Sequence, residues 1–224
     1  MRRTGPVRIS SVVAGVAAVG LALTACGGGG ESAPSPSSAD SASPAASKAL
    51  VQADLPEGYT VTTVPADSAL MSSLQAVQQM KDVEITPAAC KDKNVAAQQE
   101  VADTVKYGTQ QNVAKGQQVT YGVNFLPGEA KVSVFEAAGT GECAQVRLGA
   151  VQQTTTRKDL PKGTGATGFV LEFERAVGDQ KAASANAYFA KGGVTAMVFA
   201  NPDAEGKVDR AGFEDMIKRV AAKL

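Results

Sequence analysis

The chain has no histidine among its 224 residues. Without an imidazole, the Ser-His-Asp and Cys-His routes to an activated nucleophile are closed, and so are the usual zinc sites. A Ser-Lys pair of the S-x-x-K kind would survive that loss, but no lysine here has a serine three residues before it, and G-x-S-x-G does not occur. Basic residues are scattered: beyond residue 26 there is no Lys/Arg run, which argues against nucleic acid or an anionic membrane surface as partner. Cysteine is scarce too, at Cys26, Cys90 and Cys143. What remains is a reading without a catalytic set: no catalytic residue, cofactor or metal is assigned, and a non-enzymatic role is expected.

The N-terminus says more about address. Arg2, Arg3 and Arg8 precede an uncharged run, Ile9 to Ala25, rich in valine and leucine. A basic start followed by a short apolar segment is the layout of a secretory signal. A spanning helix would need about 20 predominantly apolar residues, and this run is shorter and contains Gly15 and Gly20. Leu23-Thr24-Ala25-Cys26 resembles the bacterial lipobox at every position. That resemblance implies diacylglycerol on the Cys26 thiol, cleavage just before it, and an acylated N-terminus. An ordinary signal peptide followed by a chance cysteine is the competing reading. Two or more acyl chains anchor stably where one holds only marginally, so an acylated cysteine needs no transmembrane helix.

The expected division is therefore a signal over 1–25, a tether over 26–47 and one exported domain over 48–224. The tether is Gly, Ser, Ala and Pro, which cannot bury enough apolar surface to order themselves. About 20 such residues reach roughly 25 Å. Ser mixed with Pro also fits O-glycosylation, on composition alone. Removing the three signal arginines from the 22 basic residues leaves 19 against 22 acidic ones, a mildly acidic exported chain. If Cys26 is acylated, Cys90 and Cys143 are left alone in an oxidising compartment, and a disulfide between them is the economical reading; two free buried thiols are the alternative.

Within the domain, Tyr59 to Val64 patterns as a strand. A helix follows Pro65, with Asp67 or Ser68 as its cap and Leu70, Leu74 and Val77 as its apolar stripe, widened by Met71. A second helix opens near Pro87 and runs through Glu100. The period then changes to two: Val119, Tyr121, Val123 and Phe125 alternate with small or polar residues. A turn at Pro127-Gly128-Glu129 leads to an expected partner strand, Ala130 to Ala137. Further strands are expected at Val151–Lys158, Gly168–Arg175, Ser184–Ala190 and Val194–Ala200. Lys191-Gly192-Gly193 makes a tight hairpin between the last two. Asp209 caps a closing helix, Arg210 to Leu224, with Phe213, Met216, Ile217, Val220 and Leu224 buried. The class is α+β: a central, mostly antiparallel sheet of about five to six strands, with N-terminal helices and a C-terminal helix packed on it.

Three features invite chemistry. Gly163-Thr164-Gly165-Ala166-Thr167-Gly168 matches G-x-G-x-x-G, yet a strand pattern follows it, so no helix supplies a dipole for a pyrophosphate, and a loop between strands is expected. Glu172 and Glu174 share one strand face, roughly 7 Å apart, but Phe169, Leu171 and Phe173 take the other, which makes the glutamates a solvated face. Asp203-Ala204-Glu205-Gly206 lacks calcium-loop spacing. Phe135, Tyr188 and Phe199 do not all fit the alternation of their strands; they read as ordinary core, or as the lining of a groove under the helices that takes an apolar ligand.

Leu55-Pro56-Glu57-Gly58-Tyr59, Pro87-Ala88-Ala89-Cys90, Val132-Ser133-Val134-Phe135, Glu142-Cys143 and Phe213-Glu214-Asp215-Met216-Ile217 together resemble an actinobacterial exported domain. That domain is similar to the extracellular sensor region of a mycobacterial serine/threonine kinase and also occurs on lipoproteins. The resemblance implies one α/β domain with a central antiparallel sheet, helix–sheet disulfide bridging and a cleft for an unidentified ligand. Only Cys90 and Cys143 match as bridge cysteines; a second pair and tryptophan are missing. The expected protein is a lipoprotein of the cell membrane, anchored through Cys26 on the extracytoplasmic face, that binds or senses a small-molecule, lipid or envelope-protein ligand. A lipid or glycolipid carrier and an accessory subunit of an envelope complex are the alternatives.

Overall fold

The computed structural model describes residues 45–128 and 131–224. The expected signal, Cys26 and nearly all of the expected tether lie outside the described residues, as do 129 and 130. Two short 3-10 turns, Ala46–Lys48 and Gln52–Asp54, lead into β1 (Tyr59–Val64), α1 (Ala66–Asp82), β2 (Ile85–Thr86) and α2 (Ala89–Val105). Then come β3 (Thr109–Lys115), β4 (Gln118–Pro127), α3 (Val132–Gly139) and a 3-10 turn, Gly141–Ala144. The chain closes with β5 (Gln145–Leu148), β6 (Val151–Asp159), β7 (Thr167–Val177), β8 (Gln180–Lys191), β9 (Val194–Ala200) and α4 (Arg210–Lys223).

All nine strands form one sheet in the order β1-β3-β4-β9-β8-β7-β6-β5-β2, and every neighbouring pair is antiparallel. The fold is α+β as expected, but the sheet is wider than the five to six strands anticipated. The additional strands have weak signals: β2 has two residues, β5 four, and β3 begins Thr-Gln-Gln-Asn. β3 is held partly by a side chain imitating backbone. Gln111, only 2% exposed, accepts the Leu50 amide through Oε1 at 2.8 Å and donates Nε2 to the Leu50 carbonyl at 3.0 Å.

Helices cover both faces of the sheet. On one face α4 packs Phe213, Met216, Ile217 and Val220 against Tyr121, Val123, Phe125, Phe189 and Val198. Asp209 caps α4 as expected, its carboxylate accepting the Gly212 amide at 3.0 Å. The other face carries Leu126, Phe169, Leu171, Phe173, Tyr188 and Met197 beneath α2 and α3. The β8–β9 hairpin forms at Lys191-Gly192-Gly193, where φ of 59° and 75° at the two glycines suits a primed turn.

Three local expectations are corrected. Residues 132–137, expected in a strand, lie in α3. Val-Ser-Val-Phe is too short to separate the two periods, and what settles the matter is packing: a Cβ on Gly139 would come within 2.7 Å of Leu171 Cδ1, so the helix sits directly on β7. The expected stripe of α1 holds only in part: Val77 is buried and Leu70 packs, partly buried, against Val64, Ala69 and Val105. Met71 and Leu74 are 65% and 46% exposed, while Ala69, Ser73 and Val77 are buried, because this helix is packed by its small side chains. Pro65, rather than Asp67 or Ser68, occupies the cap position, and no side chain caps the helix.

The disulfide is present. Cys90, in the first turn of α2, bonds to Cys143 in the 3-10 turn before β5, with Cα atoms 5.6 Å apart and both residues fully buried. It closes a loop with a sequence separation of 53 residues, worth about 4 kcal/mol in the chain-entropy account. Replacing both cysteines by serine is expected to lower the melting temperature by about 10 °C, read by scanning calorimetry; an unchanged midpoint would contradict the assignment. Gly168 is a second sensitive point, since a Cβ there would lie 2.1 Å from the Tyr188 carbonyl oxygen and 2.6 Å from Phe189 Cα. Gly168→Ala is expected to cost about 2 kcal/mol, visible as a lower urea midpoint at constant m-value.

Candidate functional site

Strand register brings a row of chemistry onto the face under α1, α2 and α3. Arg175 lies opposite Gln153, Phe173 opposite Ser184, Leu171 opposite Asn186, Phe169 opposite Tyr188, and Asn186 opposite Phe199. Asn124 on β4 pairs with Met197 on the same face. The alternation of β4 is real, but its even positions do not all face solvent: Gln118 is exposed, whereas Asn124 is 4% exposed because helices lie over it.

Between this floor and the helices runs a groove with a cavity of ≈ 140 Å³. Ala97 and Val101 of α2, Ala76 and Met80 of α1, and Phe135 and Ala138 of α3 form its roof. Small residues at these contacts leave the space that larger ones would fill. Phe135, Tyr188 and Phe199, singled out in the sequence as misfits, all line it. Tyr188 is their hub: it stacks on Phe135 at 4.6 Å between centroids and 11° between planes, and meets Phe199 edge-on at 6.3 Å.

The polar groups are unusual for a floor so well covered. Arg175 donates Nε–H to Gln153 Oε1 at 2.8 Å and Nη1–H to Ser184 Oγ at 3.1 Å. Its guanidinium carbon lies 5.2 Å over the Phe173 ring. Among the described residues it has no carboxylate partner, while Arg157, Arg210 and Arg219 each have one. Burial pulls its pKa below the ordinary arginine value, opposed by the nearby Tyr188; a guanidinium stays charged all the same. Burial also pushes the Tyr188 hydroxyl up to about 12, against the lowering effect of Asn186 and Arg175, so it is neutral at physiological pH. That hydroxyl accepts Asn186 Nδ2–H at 3.0 Å. Asn124 Oδ1 is buried with no hydrogen-bond partner.

Arg175, Gln153, Asn124 and Asn186 were not singled out in the sequence. One signal was there: Arg175 continues the odd-numbered row Phe169, Leu171, Phe173, a cation extending an apolar face.

The other chemically suggestive positions are engaged elsewhere. Gly163 to Gly168 runs from the β6–β7 loop into β7, without a helix behind it. Glu172 is on the α4 side, where its oxygens pair with Lys158 and Arg210 at 2.9 Å each. Its side chain is 20% exposed, so that face is partly covered rather than fully solvated. Glu172 and Glu174 also line a second depression of ≈ 290 Å³ with Lys207 and Arg210, larger in volume but lined by fewer residues and by charges of both signs. Asp203 accepts the amides of Glu205 and Lys207 at 3.0 and 2.8 Å and so shapes a turn. No group of three metal-ligating side chains occurs among the described residues, and no helix among them is long and apolar enough to cross a membrane. The Cys90–Cys143 bridge stands beside the groove, its cluster sharing Leu148 and Met80 with the lining; Cys26 lies outside the described residues. Compared with family models, curated proteins and solved structures, the chain matches none of them.

Proposed function

We propose that this chain is a cell-envelope lipoprotein, held by acyl chains on Cys26 at the extracytoplasmic face of the membrane, whose folded unit is a non-enzymatic ligand-binding or sensor module. The observation that carries the binding role is the groove between the sheet and α1–α3, where three aromatic side chains meet a small set of buried polar groups. An apolar cleft with a few convergent polar groups is the usual form of a small-molecule site. The anchor rests on the basic, apolar and Leu-Thr-Ala-Cys succession in 1–26. Carriage of a whole lipid would need more room: a cavity of about 150 Å³ holds a single benzene, which is close to the ≈ 140 Å³ here.

Native mass spectrometry of the exported chain, purified from its own envelope and then solvent-extracted, tests the binding role. A co-purifying small molecule with one apolar portion is the expected result. A two-chain lipid would favour the carrier, and a bare mass together with a co-purifying protein would favour an accessory subunit. Cys26→Ser is expected to release the protein into the medium or leave it as an uncleaved precursor, scored by fractionation and intact mass. Membrane retention of a correctly processed variant would contradict the anchor.

A further inference from the structure

Resting on the reading of the groove as a ligand site, we propose that its ligand is a small organic anion: a carboxylate or phosphate ester whose charged head sits on Arg175 and whose apolar body, about the size of one aromatic ring, lies among Phe135, Phe173 and Phe199.

Charge is the first argument. Arg175 is the only charged residue among the described residues lining the groove, and no carboxylate balances it. Arg175 is partly buried, and drawing a guanidinium out of water is costly to the extent that it is not paired and hydrogen-bonded. Gln153 and Ser184 take two of its five N–H donors. Those contacts fix the fork in place and leave donors on it unused, the arrangement that receives a carboxylate or phosphate by two parallel hydrogen bonds.

The neighbours agree with a negative head. Tyr188 receives a hydrogen bond from Asn186, so its own proton is not committed to that contact and remains available to a ligand oxygen. It is also neutral, with burial pushing the hydroxyl up to about 12, so it does not repel an anion. The body of the ligand follows from size and lining. Phe135, Phe173 and Phe199 supply apolar walls around a ring-sized space.

The test uses the exported chain and three probes of one size: benzoate, phenyl phosphate and benzyl alcohol. Affinities are read by chemical-shift titration, with shifts mapped to the groove. At least one anion is expected to bind about tenfold tighter than the alcohol, and the tighter of the two identifies the head group. Arg175→Gln is expected to remove that preference, and an unchanged pattern of amide shifts away from the groove certifies its fold. Arg175→Lys, keeping the charge without the fork, is expected to retain part of it. If neither anion binds more tightly than benzyl alcohol, or if Arg175→Gln keeps the preference, the anion assignment is overturned while the groove still stands as a binding site. If no probe binds, the ligand-site reading itself fails and the anion assignment falls with it. Should Arg175→Gln lose benzyl alcohol as well, Arg175→Lys decides: a retained preference supports the assignment and a lost one overturns it.

Discussion

The register between β7 and β8 is the constraint on which the rest depends. Eleven residues of each strand are paired without a slip, from Thr167 opposite Ala190 to Val177 opposite Gln180. That pairing sends Val170, Ala187 and Phe189 towards α4 and Phe169, Phe173, Ser184 and Tyr188 towards the other helices. A shift of one residue would exchange the two sets completely. Glycine at 168 is part of the same constraint, because only a residue without Cβ lets β7 approach the Tyr188–Phe189 backbone so closely. With the register fixed, each neighbouring strand inherits its own inner and outer faces, and α4 and α3 find matched surfaces.

Much of this was legible in the sequence. The period-two segments placed β1, β6, β7 and β9 to within two residues and the C-terminal part of β8, which starts four residues earlier than expected, and the heptad-like spacing of Phe213, Met216, Ile217 and Val220 placed α4 with its cap. Parity of cysteines pointed to Cys90 and Cys143. What was illegible has a common cause: alternation says that a strand has two faces, not that one of them is wet. Asn124 and Asn186 look like solvent positions in their strands and lie beneath helices instead. The α1 stripe misled at Leu74 and Met71 for a related reason: they were expected inward, and beside Val77 the helix packs through Ala69 and Ser73 instead. Polar β3 gave no pattern because Gln111 works through hydrogen bonds to a segment 61 residues away.

The groove combines two kinds of burial that fold stability treats differently. Its aromatic part is ordinary packing, in which Tyr188 touches Phe135, Phe169 and Phe199. Its polar part is partly unsatisfied: Asn124 Oδ1 has no partner, and Arg175 has neutral partners only. A buried orphan acceptor costs about 1–3 kcal/mol, a cost that an all-apolar floor would not carry. The bridge from α2 to the turn after α3 helps to hold the roof over this floor, so the covalent link and the unsatisfied groups belong to one arrangement.

The way the described chain enters the fold has a mechanical consequence. Ala45 and Leu50 are buried in the cluster on α4's side of the sheet, opposite the groove. Just after them, Asp54 pairs with Lys223 at 3.0 Å and its carbonyl accepts Arg219 Nη1–H at 2.8 Å, which fastens the entry to the last turns of α4. Tension applied at the N-terminal end would therefore be borne first by the Gln111 clamp on Leu50 and by these links to α4. The groove lies behind that load path, across the full thickness of the sheet, so a pull from that end reaches its walls last.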